Sequence, residues 1–314
     1  MKGNPSRRSF IKHAAVVGAA SAVAIPWKTG AAPGADAKGR LRFSICNETF
    51  GDWPFEKAFS LAAECGYEGI EVAPFTVAND VTDISAARRS EIRRQASAAG
   101  VEIIGLHWLL ARTEGLHLTS PDRAVRRKTA AYLGALARFC ADLGGKLLVF
   151  GSPQQRNRAE GVRYEKALDY AAEVFRETLP ALEKTNVRIA LEPLSPRTTN
   201  FVRTAAEAVD VIRKVDSPRF RLILDCLAMS SEATPIPDLI RQNREWLVHL
   251  HANDPNRKGP GFGELDFVPI FRALRDVDFK GWASVEVFDY TPGPERLARE
   301  SIAYMKQCRA KLRS

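Results

Sequence analysis

Short apolar runs alternate with longer amphipathic ones eight times between residue 41 and the C-terminus, and no other feature limits the fold so strongly. The apolar runs are 41–47 (LRFSICN), 69–73 (GIEVA), 101–107 (VEIIGLH), 146–151 (KLLVFG), 187–192 (VRIALE), 220–225 (FRLILD), 247–251 (LVHLH) and 282–287 (WASVEV). Each is short, mostly aliphatic or β-branched, and bounded by Gly, Pro, Asn or Asp, which predicts buried strands. Between them, residues 55–65 place Phe55, Ala58, Phe59 and Ala62 at helical spacing. Residues 122–143 do the same with Val125, Tyr132, Leu133, Leu136 and Phe139, and 164–184 and 294–312 are similar. Gly66, Gly100 and Gly144 stand where a helix ends in a left-handed residue. The alternation predicts a parallel sheet with helices outside it. Eight units within residues 38–314 suit a single-domain α/β protein folded as a (β/α)8 TIM barrel, whose usual size is about 250 residues. A doubly wound sheet is the competing architecture; it is disfavoured because no Gly-x-Gly-x-x-Gly follows an early strand.

Residues 1–37 read as a separate leader and linker. Ser6-Arg7-Arg8-Ser9-Phe10-Ile11-Lys12 resembles a twin-arginine export signal, and the Ala/Gly-rich stretch 14–25 that follows is too short to span a bilayer. Ala35-Asp36-Ala37 offers a small-x-small cleavage site, and Gly30-Ala31-Ala32 another. The expectation is export of the folded chain to the periplasm or the extracellular side, without a stable membrane span. The leader also explains the charge. The formal net charge is +9, but five of its cations precede residue 36, and without them it is +4. A nucleic-acid surface is therefore not indicated. The five cysteines (Cys46, Cys65, Cys140, Cys226, Cys308) are scattered without a Cys-x-x-Cys, so they are expected to pack as small apolar residues rather than as disulfides.

In such a barrel the chemistry sits at the C-terminal mouth, so polar residues at strand ends carry the most information. Glu192, Asp225, His251 and Glu286 end the fifth to eighth strands. Their neighbours two residues back (Ala190, Ile223, His249, Ser284) share the inward face. Three carboxylates and an imidazole converging there need a compensating positive charge. A divalent cation supplies it. Oxygen-rich donors with one nitrogen suit Mn2+, Mg2+ or Co2+, with Zn2+ possible, and Mn2+ is the ion expected first.

LEPL (191–194), LD (224–225), HLHANDPNR (249–257) and VEVF (285–288) resemble the xylose isomerase-like barrels, within the sugar (phosphate) isomerase and epimerase group. That group includes ketose 3-epimerases, hydroxypyruvate isomerase and inosose dehydratase. The resemblance runs from about residue 41 to the C-terminus. It implies that Glu192, Asp225, His251 and Glu286 are the metal ligands, with Glu192 and Glu286 also the proton-transfer pair acting through an enediolate. It implies substrate contact for Arg257. His107 and Glu71 are further substrate-binding candidates, with Glu48 weaker; Trp53, Phe75 and Trp108 could form an apolar wall, and His249 is assigned to the barrel interior. Two positions depart from the ketose 3-epimerase pattern. Ala228 stands where those enzymes have His, and Thr198 where they have Glu, which points to a modified or larger sugar.

The reading is thus a divalent-metal-dependent isomerase or epimerase of a sugar or keto-sugar. The same site could instead act as a lyase or dehydratase, eliminating beside the ketone of a 3-keto-sugar or inosose. A nuclease of the endonuclease IV kind needs more histidines than the five present. A sugar-binding barrel without catalysis is disfavoured by the two acids. The expected partner is a small carbohydrate, with no nucleic acid; a homo-oligomer stays open.

Overall fold

The inward and outward faces of the apolar runs are both covered because the strands close on themselves. The computed structural model describes residues 40–312; the expected leader lies outside them. Eight parallel strands form a closed barrel in chain order: β1 (Arg42–Cys46), β2 (Gly69–Val72), β3 (Glu102–Leu106), β4 (Leu147–Phe150), β5 (Arg188–Leu191), β6 (Phe220–Asp225), β7 (Leu247–Ala252) and β8 (Trp282–Val285). β8 returns to β1 through the parallel pairs Arg42–Trp282 to Ile45–Val285, so no sheet edge is left open. The doubly wound alternative is excluded.

The main helices are α1 (Phe55–Cys65), α2 (Ala86–Ala99), α3 (Arg123–Leu143), α4 (Tyr164–Thr185), α5 (Ala205–Val215), α6 (Cys226–Met229), α7 (Ile236–Gln242), α8 (Phe267–Asp276) and α9 (Pro294–Ala310). Their ends follow local chemistry. Ser85, Asp122, Thr204 and Asp266 accept N-cap hydrogen bonds from backbone amides of α2, α3, α5 and α8. Gly66, Gly100 and Gly144 close α1, α2 and α3 at φ 91°, 82° and 95°, as their positions in the sequence predict.

Two apolar regions hold the barrel. The larger lies between sheet and helices, where Phe150, Phe175 and Phe220 stack at 5.3 and 4.3 Å between centroids and bind α4 onto β4 and β6. The smaller fills the barrel interior with Leu147, Val149, Ala190 and Ile223. This apolar plug leaves the upper interior to polar residues, which sets the height of the site. Cys46, Cys140, Cys226 and Cys308 are buried and Cys65 half-buried, all as free thiols. Among the described residues no helix is long and apolar enough to cross a membrane.

Candidate active site

The ends of β5 to β8 converge as their inward parity requires. One donor atom each from Glu192, Asp225, His251 and Glu286 lies within 4.8 Å of the other three, and all four side chains are buried. Glu192 and Glu286 stand one residue beyond the last paired residues of β5 and β8, so both reach over the rim. His251 Nδ1 faces all three carboxylates, 2.9 Å from Glu286 Oε2, 3.3 Å from Glu192 Oε1 and 4.0 Å from Asp225 Oδ2.

The electrostatics record the crowding. Burial first, then the charges of Glu192 and Glu286, push the Asp225 carboxyl up to about 8. Burial also raises Glu286 against the opposing pull of His251. Burial opposes a charge on His251, but Glu286 and Glu71 outweigh it and hold the imidazole well above its ordinary value. His251 Nδ1 stands among the carboxylates where a cation would stand. With its geometry not that of a hydrogen bond, Nδ1 is also a buried polar atom without a satisfied partner. Three carboxylate donors and one imidazole nitrogen, so placed, fit a divalent cation.

The surrounding residues fix these donors. Glu71 is fully buried and accepts from Nε2 of His249 at 2.7 Å and of His251 at 3.5 Å. Burial alone would raise the Glu71 carboxyl; the two histidines overcome it and hold it well below the usual carboxylate range. Glu71 thus orients His251, leaving Nδ1 for the quartet, and it does not line the cavity where substrate contact was expected. His249 belongs to the interior, as anticipated. Asp225 caps α6 by accepting from Ala228 N at 2.6 Å, and accepts from Asn253 Nδ2 at 2.5 Å; Asn253 accepts in turn from Leu227 N. Arg156, fully buried, donates to the carbonyls of Phe150, Ser152 and Glu192. Burial draws its pKa down to about 10, against the pull of Glu192. The sequence reading missed Asn253 and Arg156. Asn253 stands two residues beyond His251 inside the HANDPNR run, which was the available signal; for Arg156 there was none.

The quartet opens into a cavity of about 380 Å3 whose lining includes His107, Trp108, Thr198, Ala228, Arg257 and Phe288. Arg257 sits at φ 72°, a left-handed conformation that costs energy in a residue with a Cβ. Its carbonyl accepts from the amides of Phe288 and Asp289, tying the loop after β7 to the exit of β8. Its guanidinium lies 5.8 Å from the Phe288 ring. His107 Nε2 is 2.5 Å from Glu48 Oε2, both buried. Trp108, also left-handed at φ 52°, forms an aromatic wall with Phe288 at 6.2 Å and meets Phe75, which lies outside the cavity lining, at 6.3 Å. Trp53 is not part of this wall; it packs on Phe50 outside the cavity lining.

Comparison with known proteins agrees with this geometry. Residues 4–24 match the twin-arginine translocation pathway signal sequence, which supports export by that route. A probable ketose 3-epimerase of Synechocystis is 27% identical over 277 residues, 80% of this chain and 90% of the relative. The 3-dehydro-D-guloside 4-epimerase of Escherichia coli K12 is 25% identical, covering 85% of this chain and all of the relative. The crystal structure of D-psicose 3-epimerase with D-tagatose from Clostridium cellulolyticum H10 shares the fold at TM-score 0.75 and 22% identity, over 86% of this chain and 99% of that one. Residues 59–308 match the xylose isomerase-like TIM barrel model, and the chain belongs to that family.

Proposed function

We propose that this chain is a divalent-metal-dependent epimerase of a keto-sugar, exported by the twin-arginine route to act outside the cytoplasm, with Mn2+ as the preferred ion. One observation carries the reading: two buried carboxylates, Glu192 and Glu286, flank His251 Nδ1 within one donor cluster at the floor of a sugar-sized cavity. The ion would be held by Glu192, Asp225, His251 and Glu286, and would supply positive charge to the oxygens of a keto-sugar as its neighbouring C–H is ionised.

The chain's own residues do the rest. One of Glu192 and Glu286 takes the proton from the carbon next to the ketone, and the other returns a proton from the opposite face, inverting that carbon. Glu71 and Asn253 hold His251 and Asp225 in place. Arg257 at the rim and the Trp108–Phe288 wall suit the hydroxyls and the apolar face of a sugar. The relatives named above catalyse epimerisations, which favours proton return over elimination.

Ala228 and Thr198 both line the cavity, so the two positions that depart from the ketose 3-epimerase pattern face the substrate space. A small apolar residue and a neutral hydroxyl there leave room beyond a simple ketose. This fits a keto-sugar carrying a substituent, such as a 3-keto-glycoside. The test is deuterium uptake from heavy water by Mn2+-loaded protein across ketohexoses and 3-keto-glycosides. Carbon-bound deuterium with inversion, strongest for the glycosides, is expected. No exchange in any member of the panel would remove the reading.

A further inference from the structure

Beside the quartet lies a second group of buried donors that the chemistry above does not use. Cys46 ends β1, Glu48 lies in the 3-10 turn Asn47–Phe50 that follows, and His107 comes directly after β3. One donor atom from each of Cys46, Glu48, His107 and Glu286 lies within 4.8 Å of the other three. Cys46 and His107 have no exposed surface, and Glu48 keeps 6%. Two of their polar atoms, Glu48 Oε1 and His107 Nδ1, are buried with no hydrogen-bond partner. Buried polar groups are almost always paired, so two orphans in one donor cluster point to a missing ligand.

A neighbouring set, Cys46 with Glu71 and His251, is less suited to an ion. Both Glu71 oxygens are already engaged, by His249 and His251. The Cys46–Glu48–His107 set also has an entry path, because His107 and Glu286 line the open cavity.

We propose that Cys46, Glu48, His107 and Glu286 form a second cation site, selective for a soft divalent ion such as Zn2+ or Co2+ and sharing Glu286 with the quartet. The inference rests on the quartet holding an ion, and not on which sugar reaction it serves. A thiolate and an imidazole beside two carboxylates favour Zn2+ and Co2+ over Mn2+ or Mg2+, so the two sites differ in preference. On binding, the Cys46 S–H bond breaks and a sulfur–metal bond forms. The thiol proton, and the proton held between His107 and Glu48, pass to solvent. Bridging carboxylates are usual where two ions sit about 3.5–4 Å apart. Glu286, shared between two ions, would no longer be free to move a proton, so an ion in this second site would inhibit the Mn2+ enzyme.

The test titrates chelator-stripped full-length protein with Co2+ and follows metal content by mass spectrometry and absorbance in the near ultraviolet. Two ions per chain are expected, the second bringing a thiolate-to-cobalt charge-transfer band. Cys46→Ser should abolish the band and reduce the content to one ion, and Glu48→Gln should weaken the second ion at least about tenfold. One ion per chain at saturation overturns the proposal. So does a second ion without the band, or a band that survives in Cys46→Ser. If Cys46→Ser does not fold, the wild-type band and its loss at matched Co2+ in Glu48→Gln decide the question. A failed deuterium exchange leaves these metal counts untouched, so the two readings fail separately.

Discussion

Glu192 shows how much a single side chain depends on its neighbours. In the proposed mechanism its carboxylate is ligand and base together, so Glu192→Gln removes the base while keeping the shape. The expected loss in turnover is about 10^3-fold or more, with the thermal midpoint little changed, as read by deuterium wash-in and calorimetry. Gly151 offers a subtler check. A Cβ at that position would overlap Oε2 of Glu192, so Gly151→Ala must push the carboxylate aside. A displacement near 1 Å at a reacting group costs on the order of 10^2-fold in rate. Normal turnover in Gly151→Ala would mean that the carboxylate does not act from this position. At this scale the sequence was most legible where parity decides direction. Glu192, Asp225, His251 and Glu286 end their strands on the inward face, and the structure brings those four together. Parity also placed Glu71 inward, but it gives no depth. Glu71 pairs in register with Cys46 and Gly105 and reaches His249 and His251 rather than the cavity.

The elements explain why the site's supports were hidden from the sequence. Strands are short periodic runs and announce themselves, whereas the segments between a strand end and the next helix have no period to read. Arg156 lies in such a segment, in the turn Gln154–Arg156 after β4. Only the folded backbone shows that it collects three carbonyls from two adjacent strand exits. Helix α2 was nearly invisible for another reason: it is rich in Arg and Ala, and only Ile92 and Ala96 are buried along it. The connection after β6 carries two short helices: Asp225 caps α6 directly, and Pro235 precedes α7. Arg156 yields a prediction at this scale. Arg156→Met fills similar volume but leaves the carbonyls of Ser152 and Glu192 without their donor, while the carbonyl of Phe150 keeps the amide of Glu192. Each unpaired buried group costs about 1–3 kcal/mol, so a loss of roughly 2 kcal/mol or more in denaturant unfolding is expected. A change near zero would show that those carbonyls find other partners.

For the molecule as a whole, the polar interior makes stability depend on pH in a direction that a cation reverses. Without an ion, Asp225 holds its proton up to about 8, against an ordinary value of 3.8. His107 and His251 are both raised well above 6.5, by neighbouring Cys46 and Glu48 for the first and by Glu286 and Glu71 for the second, each overcoming burial. Groups raised in this way stabilise the fold at low pH and lose that contribution as pH climbs through their folded values. Glu71 is lowered, so its contribution is complete above 4.5 and constant at neutral pH. His249 is lowered too, and its adverse effect is confined to pH below 6.5. Between about pH 7 and 8.5 the remaining trend is one way: the folded state binds more protons than the unfolded, and stability falls as pH rises. A divalent ion needs deprotonated ligands, so its affinity, and the stability it adds, increase over the same range. Calorimetry of chelator-stripped protein should therefore show a midpoint that drops from pH 7 to 8.5, and Mn2+ should raise the midpoint more at the higher pH than at the lower. A flat apo profile, or an Mn2+ effect that shrinks with pH, would mean that the four donors do not share one charge-crowded pocket in solution.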